Sequence, residues 1–267
     1  MVTTLWLALT LAGAGATAER AQPPQPPVAP SAWYLDDGLK KIPAGVKDDD
    51  LRALHQKLSA LKLEKDTRET TDAYAARMAR LQQDPLVGSK GFDDVFVTTI
   101  EQVQLSYDVA AERATLSVTF EDAAPADNSS TSGLIHVVDK LSTDLGKVDA
   151  RGGKPKGAAV TKRKVLEQSI MFLSRSRTLW VRTDEQNRLI MADVLVKKNA
   201  INELKGRVVA RLVFKALPLP VREIDDTALP SAENPVEVQT RNAVMAAELL
   251  SVVFYDRKSG DVLVVVK

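Results

Sequence analysis

Apolar residues at helical spacing open the folded part of the chain. The run Asp48-Asp49-Asp50 precedes four leucines that fall on one stripe of an α-helix, at Leu51, Leu54, Leu58 and Leu61. Because carboxylates are favoured at the positive end of the helix dipole, the pattern predicts a helix over 49–63. A divalent-metal cluster is the alternative interpretation of the three aspartates, although a helix start explains them without a ligand. His55 lies off the leucine stripe, so a solvated side chain is predicted for it.

A second helix is predicted to begin at Glu69-Thr70-Thr71-Asp72 and to end at Asp84-Pro85. The segment Glu69-Thr70-Thr71-x-x-Tyr74-x-x-Arg77 resembles a recurrent ETTxxYxxR helix that precedes a strand pair in poorly characterised exported proteins of Gram-negative bacteria. The resemblance covers about 40 residues, through Tyr107-Asp108. It implies a compartment and an architecture, and no activity.

From Phe92 onward, apolar and polar residues alternate and β-branched side chains are frequent, which is typical of strands. Three hairpins are predicted, with turns at 108–113, 184–187 and 256–261. Tyr107-Asp108 and Tyr255-Asp256 each enter such a turn, where the aspartate is expected to cap it. Their likeness indicates two related β units or, alternatively, convergent turn design. The predicted fold is therefore α+β, with two N-terminal helices packed on antiparallel β-hairpins.

The N-terminal residues carry the signature of export. Residues 1–18 have no charged side chain and end in Ala16-Thr17-Ala18, which is typical of a secretory signal peptide; an uncleaved anchor is the alternative. Cleavage after Ala18 would leave no transmembrane span in a periplasmic or secreted mature chain. Residues 19–46 are predicted to form a Pro-rich linker, and 47–267 an α+β globular region with a sub-boundary near 122–133.

Composition and motifs exclude several kinds of chemistry. The chain has no cysteine, which excludes disulfides, thiol nucleophiles and thiolate-bound metals, and its two histidines, His55 and His136, are far apart in sequence. It contains no H-E-x-x-H, G-x-S-x-G or Walker motif. Ser59-Ala60-Leu61-Lys62 fits the S-x-x-K of serine hydrolases, but it falls at the C-terminal end of the predicted helix, so chance explains it better. We therefore predict a non-catalytic binding or envelope-associated protein without cofactor or metal, with an envelope-acting hydrolase as the alternative.

The net charge of +1 conceals a strong asymmetry. Residues 147–215 hold 17 basic and six acidic residues, a net charge of +11, and the rest of the chain carries −10. Eight basic residues are candidates for binding an anionic partner: Arg151, Lys154, Lys156, Lys162, Arg163, Lys164, Arg175 and Arg177.

An anionic lipid, a glycan or an acidic protein would suit this basic segment. Nucleic acid is disfavoured, because only Phe172 and Trp180 are interleaved with the basic residues. The alternative to a binding patch is neutralisation by the acidic remainder of the chain on folding. Self-association through strand edges is a further possibility that the strand-rich pattern leaves open.

Overall fold

The computed structural model describes residues 33–36, 38–43, 45–121, 132–136, 141–149, 159–174, 179–182, 187–231 and 235–267. The predicted signal peptide, residues 19–32 of the predicted linker, and Arg151, Lys154, Lys156, Arg175 and Arg177 lie outside these ranges. The described helices are α1 (Leu51–Ala60), α2 (Thr71–Gln83) and α3 (Lys198–Leu204), with a 3₁₀ turn at Trp33–Leu35. No helix in these ranges is long and apolar enough to cross a bilayer.

Twelve strands form one sheet. They are β1 (Phe96–Ile100), β2 (Gln104–Asp108), β3 (Arg113–Glu121), β4 (Ser132–His136), β5 (Leu141–Asp149), β6 (Ala159–Leu173), β7 (Val181–Arg182), β8 (Asn187–Leu195), β9 (Val208–Ala216), β10 (Arg222–Ala228), β11 (Val236–Asp256) and β12 (Val262–Val266). The main strand order is β1-β9-β11-β6-β4-β3-β8-β7, with β10 and β12 also on β11, β2 on β3 and β5 on β6. The sheet curls, and β12 approaches β8.

The α+β prediction of two helices packed on antiparallel hairpins is wrong. The structure is mostly β, and its two longest strands, β6 and β11, pair in parallel from Thr161 and Val236 onward. Of the two N-terminal helices, α1 buries Leu54 and Leu58, whereas α2 has no buried residue. A parallel pair joins strands that are far apart in the chain, so hairpin signals in the sequence do not reveal it.

The predicted hairpins themselves form. β2 pairs with β3, β7 with β8 and β11 with β12, all antiparallel. Asp108 Oδ1 accepts the N–H of Ala110 at 2.9 Å, and Asp256 Oδ1 accepts that of Lys258 at 2.9 Å, so both turns are capped as expected. The two hairpins do not belong to equivalent β units, because β11 pairs with four of the described strands and β2 with one. Residues 217–235, which include four prolines, contain a strand, β10.

The centre of the molecule is a chain of aromatic rings on one face of the curled sheet. Phe96 stacks on Phe214, Phe214 meets Phe172 edge to face, and Phe172 meets Phe120 in the same way. Trp180 packs on Phe120 with ring centroids 4.9 Å apart. Gly133 on β4 makes room for this pair, since a Cβ there would lie 2.6 Å from Trp180 and 2.9 Å from Phe120. Burial of these rings is the main stabilisation of the part of the molecule that we name the core region. It comprises residues 45–121, 132–136, 169–174, 179–182, 187–216 and 245–267.

Beyond the core region, β6 and β11 continue into a four-stranded part that we name the extension. It consists of β10, residues 236–244 of β11, residues 159–168 of β6, and β5, in that order across the sheet. All seven residues of β10 are exposed. The extension is thus two hairpins side by side, with opposite charge in the sequence: 141–167 has seven basic and three acidic residues, and 222–243 has two basic and five acidic residues.

Candidate functional site

The three aspartates before α1 have three different partners. Asp50 caps the helix by accepting the N–H of Ala53 at 2.9 Å, which confirms the predicted helix start. Asp49 pairs with Lys90 at 2.7 Å, and Asp48 pairs with Arg211 at 3.4 Å. Asp48 and Asp49 therefore tie the helix start to other parts of the chain. Among the described residues, no group of three or more acidic or histidine side chains is placed to hold a metal ion.

The ETTxxYxxR segment fixes the loop between α1 and α2. Thr70 caps α2 by accepting the N–H of Ala73, and Arg77 pairs with Glu69 at 2.8 Å. Arg77 also donates to the carbonyl oxygens of Lys62 and Glu64. The hydroxyl of Tyr74 donates to the carbonyl oxygen of Leu63 at 3.1 Å. The hydrogen bond to Arg77 lowers the pKa of Glu69, so the pair stays charged. The segment's identifiable role in this structure is to hold a loop.

That loop forms one wall of a groove of about 850 Å³, whose other wall is Pro220 and Val221. Ser59 lines the groove and lies 3.3 Å from Nδ1 of His55, one turn earlier in α1. His55 is fully buried, so its predicted solvated position is wrong. Its Nε2 lies 2.8 Å from the carbonyl oxygen of Ala243, to which Nε2–H donates, leaving Nδ1 to accept from the Ser59 hydroxyl.

Burial lowers the pKa of His55, and the hydrogen bond to Ala243 opposes this effect only in part. The ring is therefore neutral at pH 7. A neutral imidazole beside an exposed serine is the first element of a hydrolase site. The position of Ser59 argues against such a role: it lies in the last turn of α1, where the helix presents carbonyl oxygens rather than the N–H groups that would stabilise an oxyanion.

In the core region, two arginines of the 147–215 segment are paired with acidic residues from elsewhere. Arg207 forms an ion pair with Asp256, and Arg211 with Asp48. The guanidinium of Arg211 also lies over the ring of Tyr255. Burial raises the pKa of Asp256, but hydrogen bonds from Arg207, Lys258 and Ser259 outweigh it and hold the pKa below its ordinary value. These two arginines serve the fold.

On the extension, the structure describes three of the eight candidate residues, and strand alternation separates them. Lys162 and Lys164 lie on the same face of β6 as Ile170 and Phe172, whereas Arg163 lies on the other face. We name the face of Lys162 and Lys164 the basic face. Arg163 has an interaction partner of its own. Lys164 is exposed, and no hydrogen bond or ion pair joins its side chain to another described residue.

Across the basic face, β11 contributes polar neighbours. Glu237 lies opposite Lys162 and forms an ion pair with it at 3.1 Å. Gln239 lies opposite Lys164, and its Nε2 donates to Glu237 at 3.0 Å. Sequence reasoning missed Glu237, because its position opposite Lys162 depends on the parallel register of β6 and β11. If residues 159–173 had been recognised as a strand, the alternation of side chains would have placed Lys162 and Lys164 on the same face.

The second histidine, His136, lies at the end of β4 as its strand-like context predicts, and its side chain is outside the described residues. Comparisons with protein-family models, with curated proteins and with solved structures give no match for this chain. The resemblance of the ETTxxYxxR segment to exported Gram-negative proteins therefore stays a prediction.

Proposed function

We propose that this protein is an exported, non-catalytic binding protein that contacts an anionic partner through the β5–β6 hairpin of the extension. The observation that carries the proposal is the basic face, where Lys162 and Lys164 stand two positions apart on one strand and Lys164 has no partner among the described residues. Two ammonium groups on the same side of a strand can reach one anionic surface together.

Connectivity and charge support this assignment. Asp149 and Ala159 are paired, and Arg151, Lys154 and Lys156 lie between them in the sequence. The arginines paired in the core region, by contrast, could reach a partner only by giving up partly buried ion pairs. Lys164, which is exposed on the extension, can meet a partner without such a loss.

Charge reversal tests the proposal. Lys154, Lys156, Lys162, Arg163 and Lys164 would be changed together to Glu, and retention on anionic vesicles or lipopolysaccharide would be measured over a range of salt. We expect salt-sensitive retention by the wild type and its loss in the variant. The matched control changes Lys197, Lys198 and Lys205, which lie at or next to α3, to Glu. Equal retention of the wild type and the hairpin variant would contradict the proposal.

Hydrolysis is the second candidate, because Ser59 lines the groove beside α1 and lies 3.3 Å from Nδ1 of a neutral histidine. In that reaction, Ser59 Oγ would attack an ester carbonyl as its proton passes to Nδ1 of His55. The ester C–O bond would then break, the alcohol would leave with that proton, and water would hydrolyse the acyl-serine. Exposure to a fluorophosphonate probe tests this candidate. Labelling that is lost in Ser59→Ala and retained in Ser129→Ala would support the hydrolase and count against a non-catalytic protein.

A further inference from the structure

In the unbound protein, Glu237 forms an ion pair with Lys162. The Lys162 ammonium lies 3.1 Å from Glu237 Oε1, and Gln239 Nε2 donates to the same oxygen at 3.0 Å. These hydrogen bonds, from Lys162 first and Gln239 second, hold the pKa of Glu237 below its ordinary value, so the carboxylate is ionised at neutral pH. A ligand of Lys162 therefore has to compete with an anion that the protein itself supplies.

The competing carboxylate is hard for a small anion to displace. It is held by the register of β6 and β11, so it acts at the high effective concentration of a tethered group. A single soluble anion carries a similar charge but lacks the high effective concentration of the tethered carboxylate. A surface that carries many anions contacts Lys162 and Lys164 at once. Its contact with Lys164 compensates for breaking the ion pair between Lys162 and Glu237.

An apolar side chain beside the lysines points to a lipid surface. Leu166 follows Lys162 and Lys164 on the basic face and is 42% exposed. Basic residues next to an exposed leucine are the combination that binds at the boundary of headgroups and acyl chains.

We propose that Lys162, Lys164 and Gln239 bind phosphate groups displayed on an anionic lipid surface, and that Glu237 is a built-in competitor which restricts binding to dense phosphate surfaces. This inference rests on the proposed function and names the partner. Displacement of Glu237 frees the Gln239 amide to donate to the incoming phosphate. The competitor thus sets the anionic lipid density at which binding begins.

Vesicle partitioning of the full chain tests the inference. The probes are phosphatidylcholine vesicles with an increasing fraction of phosphatidylglycerol. We expect Glu237→Gln to bind about two- to fivefold more tightly than the wild type, the range expected from release of a solvent-exposed ion pair. The matched control is Glu101→Gln, which removes the exposed partner of Arg257 in the core region and leaves Lys162 untouched, and its binding should equal that of the wild type.

A second variant tests the lipid contact. Leu166→Ala should weaken partitioning roughly threefold or more, because it removes apolar atoms from the headgroup boundary. Met191→Ala is its control, since Met191 is 40% exposed but lies on β8 in the core region. Free inorganic phosphate should not displace the bound protein at the ionic strength of a matched chloride control.

The outcomes separate the inference from the function on which it rests. If the wild type is retained on the vesicles and Glu237→Gln binds with the same affinity, Glu237 is not a competitor. The proposed binding function would still stand. Displacement by inorganic phosphate beyond the chloride control would show that the site takes free phosphate and would overturn the lipid surface. Absence of wild-type retention on every anionic surface would overturn the proposed function itself.

Discussion

The core region and the extension share two strands, and the same strands behave differently in each. In the core region, β6 presents Ile170 and Phe172, and β11 presents Met245 and Ala247, to a packed apolar interior. In the extension, the same face carries charged and polar residues such as Lys162 and Glu237. The hydrogen-bonded ladder continues unchanged across the boundary. Continuous pairing therefore fixes the backbone, and side-chain composition alone decides which part of a strand is interior.

Charge neutralisation differs between the two regions in the same way. In the core region, Asp256 and Arg211 are almost fully buried, and their ion pairs connect separate elements. In the extension, Lys162 and Glu237 are neighbours across two strands and are partly exposed to solvent. Buried pairs are costly to break, whereas exposed pairs contribute little to stability and can open for a partner that makes several contacts. The near-neutral total charge thus contains one fixed part and one exchangeable part.

The largest expected difference between the regions is in apolar packing. Phe172→Ala should lower the free energy of unfolding by about 3–5 kcal/mol, because it leaves a cavity between Phe120 and Phe214. Leu166→Ala on the same strand should change it by less than about 0.5 kcal/mol, because Leu166 is exposed. Urea denaturation measures both. Similar losses in the two variants would show that the extension is packed like the core region.

Overpacking should be the next largest effect. Gly133→Ala places a methyl group 2.6–2.9 Å from the rings of Trp180 and the Cβ of Phe120, which leaves too little room. We expect a loss of about 1–3 kcal/mol in the free energy of unfolding and a change in tryptophan fluorescence. A neutral or stabilising substitution would show that Trp180 is not held against β4.

Ion pairs should separate the regions by a smaller amount. Asp256→Asn removes the buried partner of Arg207 and should lower the free energy of unfolding by about 1–3 kcal/mol at pH 7, whereas Glu237→Gln should leave it unchanged. The pKa of Asp256 is lower in the folded state, so its stabilisation is complete above the unfolded pKa and is lost as the pH falls through the folded value. A difference between wild type and Asp256→Asn that persists in strong acid would contradict this assignment.

The smallest effect concerns the point where α1 meets β11. His55 has a lowered pKa in the folded state, so the unfolded chain takes up a proton first. The stability of the wild type should therefore fall as the pH drops below about 6.5, the ordinary pKa of histidine. His55→Gln retains a donor for the carbonyl of Ala243 and should show a weaker dependence in this range. Identical pH profiles from urea denaturation would mean that His55 is not buried as a neutral ring.

Local signals in the sequence predicted local structure well. Asp50 before a leucine stripe gave the start of α1, and Asp108 and Asp256 marked turns that they cap, because each of these interactions joins residues close in the chain. Interactions between distant residues were not predictable. The burial of His55 depends on a carbonyl 188 residues away, and the parallel pairing of β6 with β11 depends on a register that no hairpin turn sets.

The candidate site was predicted in part for the same reason. Charge density alone identified Lys162, Arg163 and Lys164 as a cluster, but three consecutive basic residues conceal the alternation that a strand imposes. The partner of Lys162 comes from β11, outside the basic segment. A charge count therefore finds the strand that carries the site but not the residues that modulate it.

Hydrogen exchange of the protein with and without anionic vesicles tests most directly whether the extension, and not the core region, contacts the anionic partner. Amides in 159–168 of β6 and 236–244 of β11 should become more protected on binding, while those of β9 in the core region should not change. Protection confined to the groove beside α1, or spread over β9 with none in the extension, would contradict the account.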